Sequence, residues 1–257
     1  MDMVVKEDGG FKYIEEGDGE VLLLLHGLFG ALSNFKSIVE EFRTHCKVVI
    51  PLLPLYEMPF LECSVKGLVR HVKRFVEYKR FTSMIVLGNS LGGHVAQLYA
   101  LEDLKKIKAL VLTGSSGLFE NSLGGSFPKR GDYEYIRAKT EYTFYNPATA
   151  TKSLVDEVYD ICNNRNKAMR VIAMARSAMK ENLGPVLHKL TMPVLLIWGR
   201  EDRITPPFVS EEFHKLIPNS ELVMLDHCGH APMMEKPGEF NIILEEFLQK
   251  LNVTAER

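Results

Sequence analysis

Apolar residues follow two rhythms along this chain. Nearly unbroken apolar runs occupy residues 21–25, 47–50, 84–87, 109–113, 194–198 and 221–225. Runs of this length without a polar alternation suit strands buried on both faces. Between them lie stretches with the helical period. In 65–78, Leu68, Val69, Val72, Phe75 and Val76 form one stripe, and Ser64 stands ready as its cap. In 238–251 the stripe is Phe240, Ile243, Leu244, Phe247 and Leu248. Segments 33–42, 94–101 and 208–216 also read as helices. Two short strands, 4–6 and 11–15, should flank a turn at Asp8-Gly9-Gly10. Strand and helix alternating at this spacing predict an α/β fold: a mostly parallel, eight-stranded sheet flanked by helices.

The rhythm breaks once. The 80 residues between Thr113 and Val194 contain no comparable apolar run. One crossover unit needs only about 30 residues. The excess carries helical patterns at 133–143, 154–163 and 168–179, and predicts an inserted helical cap over 117–187, with a core made of 1–116 and 188–257. Long insertions of this kind often serve as lids. Phe119, Phe127, Tyr133, Tyr142, Phe144, Met169, Met174 and Met179 lie in it, and some of them should line an apolar pocket. Arg137, Arg170 and Arg176 are candidates to bind a carboxylate, although solvent exposure is the simpler reading for each.

Composition narrows the class without changing this picture. In 257 residues, 46% are apolar and the net charge is −2 with the signs well mixed. No basic cluster points to nucleic acid, and no run is long enough to cross a bilayer. The first residues lack a basic start followed by an apolar run, so a cytoplasmic protein is expected, as monomer or homodimer. Cys46, Cys63, Cys162 and Cys228 are widely spaced and form no zinc pattern, so free thiols are expected, with Cys228 in loop packing.

The chemistry gathers where the strands end. The 84–87 run leads into Gly88-Asn89-Ser90-Leu91-Gly92-Gly93 and then a helix, which is the order of a nucleophile elbow. Such a turn strains the serine backbone and lifts its hydroxyl beside free N–H groups of the helix. Ser90 is the candidate nucleophile. A serine needs a base, and His230 in Gly229-His230-Ala231-Pro232 is preferred over His227. Asp202 follows the 194–198 strand directly and would orient the histidine; Glu201, Asp226 and Asp160 compete with it. The oxyanion hole should use the backbone N–H of Leu91 and one from the His26–Gly30 loop, most simply Leu28. His26 itself reads as a loop brace. The Pro-rich stretch 51–59 should form one wall of the site.

His26-Gly-Leu-Phe-Gly, Gly88-Asn-Ser-Leu-Gly-Gly, Trp198-Gly-Arg-Glu-Asp-Arg-Ile-Thr-Pro and Gly229-His-Ala-Pro resemble the marker motifs of the α/β-hydrolase superfamily. The likeness extends from about residue 13 to residue 251 and is weakest across the cap. Within the superfamily the chain is similar to single-domain serine esterases and to hydrolases that cleave carbon–carbon bonds of ring-fission products. The resemblance implies an α/β-hydrolase fold, a Ser90–Asp202–His230 triad, a small ester or related acyl substrate, and neither metal nor organic cofactor. Two departures bear on the substrate. The family's Asp-x-Pro-Gly-x-Gly loop is replaced by Leu53-Pro54-Leu55-Tyr56-Glu57, and Ala231, Met233 and Met234 stand where carbon–carbon hydrolases often carry tryptophan. Esterase activity is therefore the first expectation. Carbon–carbon hydrolase, lactonase or thioesterase activity comes second, and a non-catalytic ligand-binding module third.

Overall fold

The computed structural model describes residues 3–30, 32–119 and 130–255. Its sheet has eight strands: β1 (Lys6–Asp8), β2 (Phe11–Glu16), β3 (Glu20–Leu25), β4 (Cys46–Pro51), β5 (Met84–Asn89), β6 (Ile107–Thr113), β7 (Val194–Gly199) and β8 (Ser220–Leu225). Their order across the sheet is β1-β2-β4-β3-β5-β6-β7-β8. β1 and β2 are antiparallel, as is β2 against β4, and every later pairing is parallel. Each apolar run of the sequence is a strand, and the inner ones are apolar on both faces because helices cover both sides of the sheet, while the edge strand β8 is only half-buried. In β3, Leu23 and Leu25 pack into the core on one side of the sheet, and Leu22 and Leu24 into the core on the other.

Helices α1 (Lys36–Phe42), α2 (Val65–Lys79), α3 (Leu91–Glu102), α7 (Pro207–Leu216) and α9 (Pro237–Ala255) cover the two faces, and the single turn α8 (Pro232–Glu235) precedes α9. The Ser64 hydroxyl accepts from the Gly67 N–H at 3.0 Å and starts α2 as the sequence predicts. Between β6 and β7 lie α4 (Tyr133–Tyr142), α5 (Lys152–Asn163) and α6 (Arg165–Lys180), the three helices expected there. Phe127 falls outside the described residues.

Several boundaries differ from the reading of the sequence, two of them for a visible local reason. The first strand is Lys6–Asp8 rather than 4–6. Gly9 and Gly10 both take positive φ, and the two-residue turn they form pairs Asp8 directly with Phe11. Register therefore runs back from Asp8, and Val4 and Val5 are left exposed beyond the strand. The segment 33–42 also divides: Leu32–Phe35 is a 3-10 turn, and the α-helix begins only at Lys36.

Chain order reverses between β3 and β5, since β4 lies on one side of β3 and β5 on the other. In an open parallel sheet the crevice at such a reversal, at the carboxyl ends of the strands, is where ligands bind. The loops after β3, β5, β6, β7 and β8 all open at that end.

Candidate active site

Ser90 joins β5 to α3 with φ 54° and ψ −121°, a left-handed conformation that costs a non-glycine residue about 1–3 kcal/mol. Neighbouring hydrogen bonds hold it there. The Ser90 N–H donates to the Thr113 carbonyl at 3.1 Å, and the Ser90 carbonyl accepts from the N–H groups of Gly93, His94 and Ser116. The turn also requires close packing. A Cβ on Gly92 would lie 2.0 Å from the Leu25 carbonyl oxygen, so only glycine lets α3 start against the end of β3.

Asp202 is buried in the loop after β7. Its Oδ1 accepts from the N–H groups of Ile204 (2.8 Å) and Thr205 (2.9 Å), and its Oδ2 from the Thr205 hydroxyl (2.8 Å). Trp198 secures the same loop by donating Nε1–H to the Thr205 carbonyl at 2.8 Å. The remaining partner of Oδ2 is His230 Nδ1, at 2.9 Å. A carboxylate can only accept, so Nδ1 carries the proton and the lone pair of a neutral ring lies on Nε2. The structure thus brings Asp202 and His230 together. Ser90 and His230 line the same cavity. Among the described residues no hydrogen bond engages the Ser90 hydroxyl, and none takes up the N–H of Leu28 or Leu91.

The competing residues lie elsewhere. His227 is exposed, with its ring against Tyr145. Asp226 pairs with Arg200, and Glu201 accepts from the Cys228 N–H at 3.0 Å. Asp160 is exposed on α5. Burial pushes the Cys228 thiol well above its ordinary range, in keeping with packing. His26 accepts the Leu53 N–H on Nε2 at 3.1 Å and contacts the Gly27 carbonyl through Nδ1 at 3.0 Å. Burial lowers its pKa, and an Nε2 that accepts an N–H carries no proton, so both nitrogens are used in bracing the loop.

Residues that the motifs did not single out complete the framework. Asn89 donates from Nδ2 to the Thr113 carbonyl (3.0 Å) and the His230 carbonyl (3.3 Å). Gly114, at φ 49°, packs against the imidazole: a Cβ there would lie 2.8 Å from His230 Nδ1. The His230 N–H donates to the Thr143 carbonyl at 3.0 Å. Glu235 accepts from the N–H groups of Gly229 (2.7 Å), Tyr145 (2.7 Å) and Asn146 (3.2 Å), which stitches the histidine loop to the segment after α4. Burial raises the Glu235 pKa, with these N–H groups opposing. Its only signal in the sequence is an acid five residues past the histidine, and an acid there reads equally well as helix surface.

The cavity holds about 180 Å³. Gly27 to Gly30, Ser90, Ile136, Phe144, Leu154, Val158 and Met234 give it largely apolar walls. Of the cap residues expected to line a pocket, Tyr142 and Phe144 do so. Tyr133, Met169, Met174 and Met179 do not, and neither does Phe119, whose ring packs on Phe208. Arg137 pairs with Glu134 at 2.8 Å, Arg170 donates Nε–H to the Met58 carbonyl at 2.8 Å, and Arg176 is exposed, so none of the three enters the cavity. The 51–59 stretch is not a wall either. Leu53, Leu55 and Met58 turn into the core, and the loop reaches the site only indirectly, through the Leu53 N–H on His26 and the Tyr56 hydroxyl donating to the Leu28 carbonyl at 2.6 Å.

An elbow serine and a histidine paired with a buried aspartate meet at one cavity, at the carboxyl ends of a mostly parallel sheet. Residues 22–241 match the alpha/beta hydrolase family, and the chain belongs to it. An alpha/beta hydrolase enzyme from the metagenome of lagoon sediments at Mar Chica, Morocco, is 39% identical with a TM-score of 0.80, over 97% of this chain and 99% of that one. Lipase 1 of Psychrobacter immobilis is 26% identical over 240 residues, 87% of this chain and 75% of the lipase. The 2-hydroxy-6-oxo-6-(2'-aminophenyl)hexa-2,4-dienoic acid hydrolase of Metapseudomonas resinovorans is 24% identical, over 93% and 87% respectively. With such relatives, the protein is an enzyme of the hydrolase class.

Proposed function

We propose that the protein hydrolyses a small or medium carboxylic ester through an acyl-enzyme on Ser90. One observation carries this reading: His230, its Nδ1 2.9 Å from buried Asp202, borders the same cavity as a serine held on strained backbone. His230 Nε2 takes the proton of the Ser90 hydroxyl as its oxygen attacks the ester carbonyl. The N–H groups of Leu28 and Leu91 hold the oxyanion, and neither has another partner among the described residues. His230 then gives its proton to the departing alcohol. Water, activated by the same imidazole, releases the acid and restores Ser90. Asp202 keeps the ring in the useful tautomer and stabilises its charged form. Helices α4 and α5 of the 117–187 cap supply one wall of the cavity.

A second reading is hydrolysis of a carbon–carbon bond in a ring-fission diketone acid; the Metapseudomonas relative is named as the hydrolase of a 2-hydroxy-6-oxo dienoic acid. The cavity favours the ester. Apart from His230, its wall carries a single cationic side chain among the described residues, Lys139, and that residue is exposed on α4. A free carboxylate on the substrate would need more. The test is hydrolysis of p-nitrophenyl esters and of a ring-fission diketone by the wild type and by Ser90→Ala. The expected result is ester turnover that falls by about three orders of magnitude or more in the variant, with circular dichroism unchanged. Turnover of the diketone alone would move the second reading to first place. Ester turnover unchanged in Ser90→Ala would refute both.

A further inference from the structure

The outward stripe of α6 plays no part in the cavity, and its composition is unusual. Arg165, Met169, Ile172, Arg176, Met179 and Lys180 follow the helical period along one side, while Val171, Met174, Ala175 and Ala178 are buried on the other. An exposed helical face ordinarily mixes acids with bases. This one has cations and large apolar groups but no acid, and Met179 is 62% exposed.

The turn Phe60–Glu62 lies along one flank of α6. It is fixed there by Arg170 Nε donating to the Met58 carbonyl at 2.8 Å and by the Val65 N–H donating to the Ser177 hydroxyl at 3.1 Å. At its tip Leu61 is 99% exposed and Phe60 is 50% exposed. From this turn α2 runs on, tied to the end of α6 by the Lys66–Glu181 ion pair at 2.7 Å, with Arg70, Lys73 and Arg74 exposed. Together α2 and α6 carry ten lysines and arginines and a single acid, Glu77. Glu62 on the turn and Glu181 at the end of α6 are further acids nearby. The whole chain is slightly acidic at −2, whereas these two helices carry an excess of cations even with Lys66 paired to Glu181 and Lys79 paired to Glu15.

We propose that this face docks on a bilayer containing anionic phospholipid. Phe60 and Leu61 insert at the level of the headgroups, and the cations of α2 and α6 lie over the phosphates and carboxylates. A nucleic acid would satisfy the cations but leave Leu61 without a purpose; a bilayer takes both. This binding is independent of the role assigned to Ser90, and none of these side chains lines the cavity.

The test is co-sedimentation of the full chain with phosphatidylcholine vesicles, with and without about a third phosphatidylserine, at about 0.1 M and about 1 M salt. Binding to the anionic vesicles alone, weakened by salt, is expected. Leu61→Asp should weaken it at least tenfold, and Lys73→Gln with Arg74→Gln about fivefold for each cation removed. Hydrolysis of a water-soluble ester should be unchanged in all of these variants, which shows that they are folded. Failure to bind anionic vesicles at low salt would overturn the proposal. So would equal binding to heparin that Leu61→Asp does not affect, which is polyanion attraction alone. A dimer in size-exclusion chromatography that Leu61→Asp dissociates would also overturn it, by assigning the face to a second copy of this chain.

Discussion

At the scale of single residues, Gly114 limits where the imidazole of His230 can lie. It sits after β6 with positive φ, and the ring occupies the space that a Cβ would fill. In Gly114→Ala the methyl must displace the ring or the carbonyl of His230, both less than 3 Å from it. We expect kcat to fall by roughly 10- to 100-fold, since misplacing a reacting group by about 1 Å costs that much. Binding of a substrate analogue should change far less, and steady-state kinetics together with an inhibition constant separate the two. The candidates Ser90, Asp202 and His230 were legible because each follows an apolar run and sits among small or turn-forming residues. Gly114 and Asn89 were not legible as supports of His230. What they do is set by contacts across the sheet to a loop more than a hundred positions away, and nothing local in the sequence marks such a contact.

At the scale of elements, the seam between the histidine loop and the segment after α4 depends on Glu235. Three backbone N–H groups converge on its carboxylate. Glu235→Ala leaves them without that acceptor and should destabilise the fold by about 2–3 kcal/mol, with Tyr145 and Asn146 exposed enough for water to replace part of the loss. In thermal unfolding that amounts to a fall in Tm of about 5–10 °C. Helix α2 gives a pH-dependent prediction. Burial pushes His71 down to about 4, with Arg74 adding to the effect, and its ring packs on Phe11. Between about 4 and the ordinary histidine value of about 6.5, the unfolded chain binds a proton that the folded one does not. Stability conferred by neutral His71 is therefore complete above about 6.5 and is lost as pH falls towards 4. The Tm of the wild type should drop across that window more steeply than that of His71→Leu; parallel profiles would contradict the assignment. The buried strands and the α2 stripe were legible because burial on two faces, or on one, leaves an unmistakable period. The first strand was displaced because a Gly-Gly turn, rather than the neighbouring valines, sets its register. The 51–59 loop was misplaced because its leucines fill the core, and proline content does not reveal which way such a loop folds.

At the scale of the whole molecule, the enclosed space limits the substrate. A cavity of about 180 Å³ accepts a group near the size of a benzene ring, for which about 150 Å³ suffices. Among p-nitrophenyl esters, kcat/KM should rise by up to about fourfold per methylene while the chain fits, from about 0.8 kcal/mol each. It should peak at acyl chains of about four to six carbons and fall at least tenfold by twelve; a maximum at the longest chains would mean a larger site. Neither this volume nor the clustering of cations on α2 and α6 was visible in the sequence, because helices distant along the chain meet only in the fold. The central claim is that Ser90 is a nucleophile activated by His230 and Asp202. Its most direct test is the rate and site of labelling by a fluorophosphonate, mapped by peptide mass spectrometry in the wild type and in Asp202→Asn. The account predicts a single modification on Ser90, at least a hundredfold slower in the variant. Labelling at another residue, or at Ser90 with equal rates in both proteins, would contradict it.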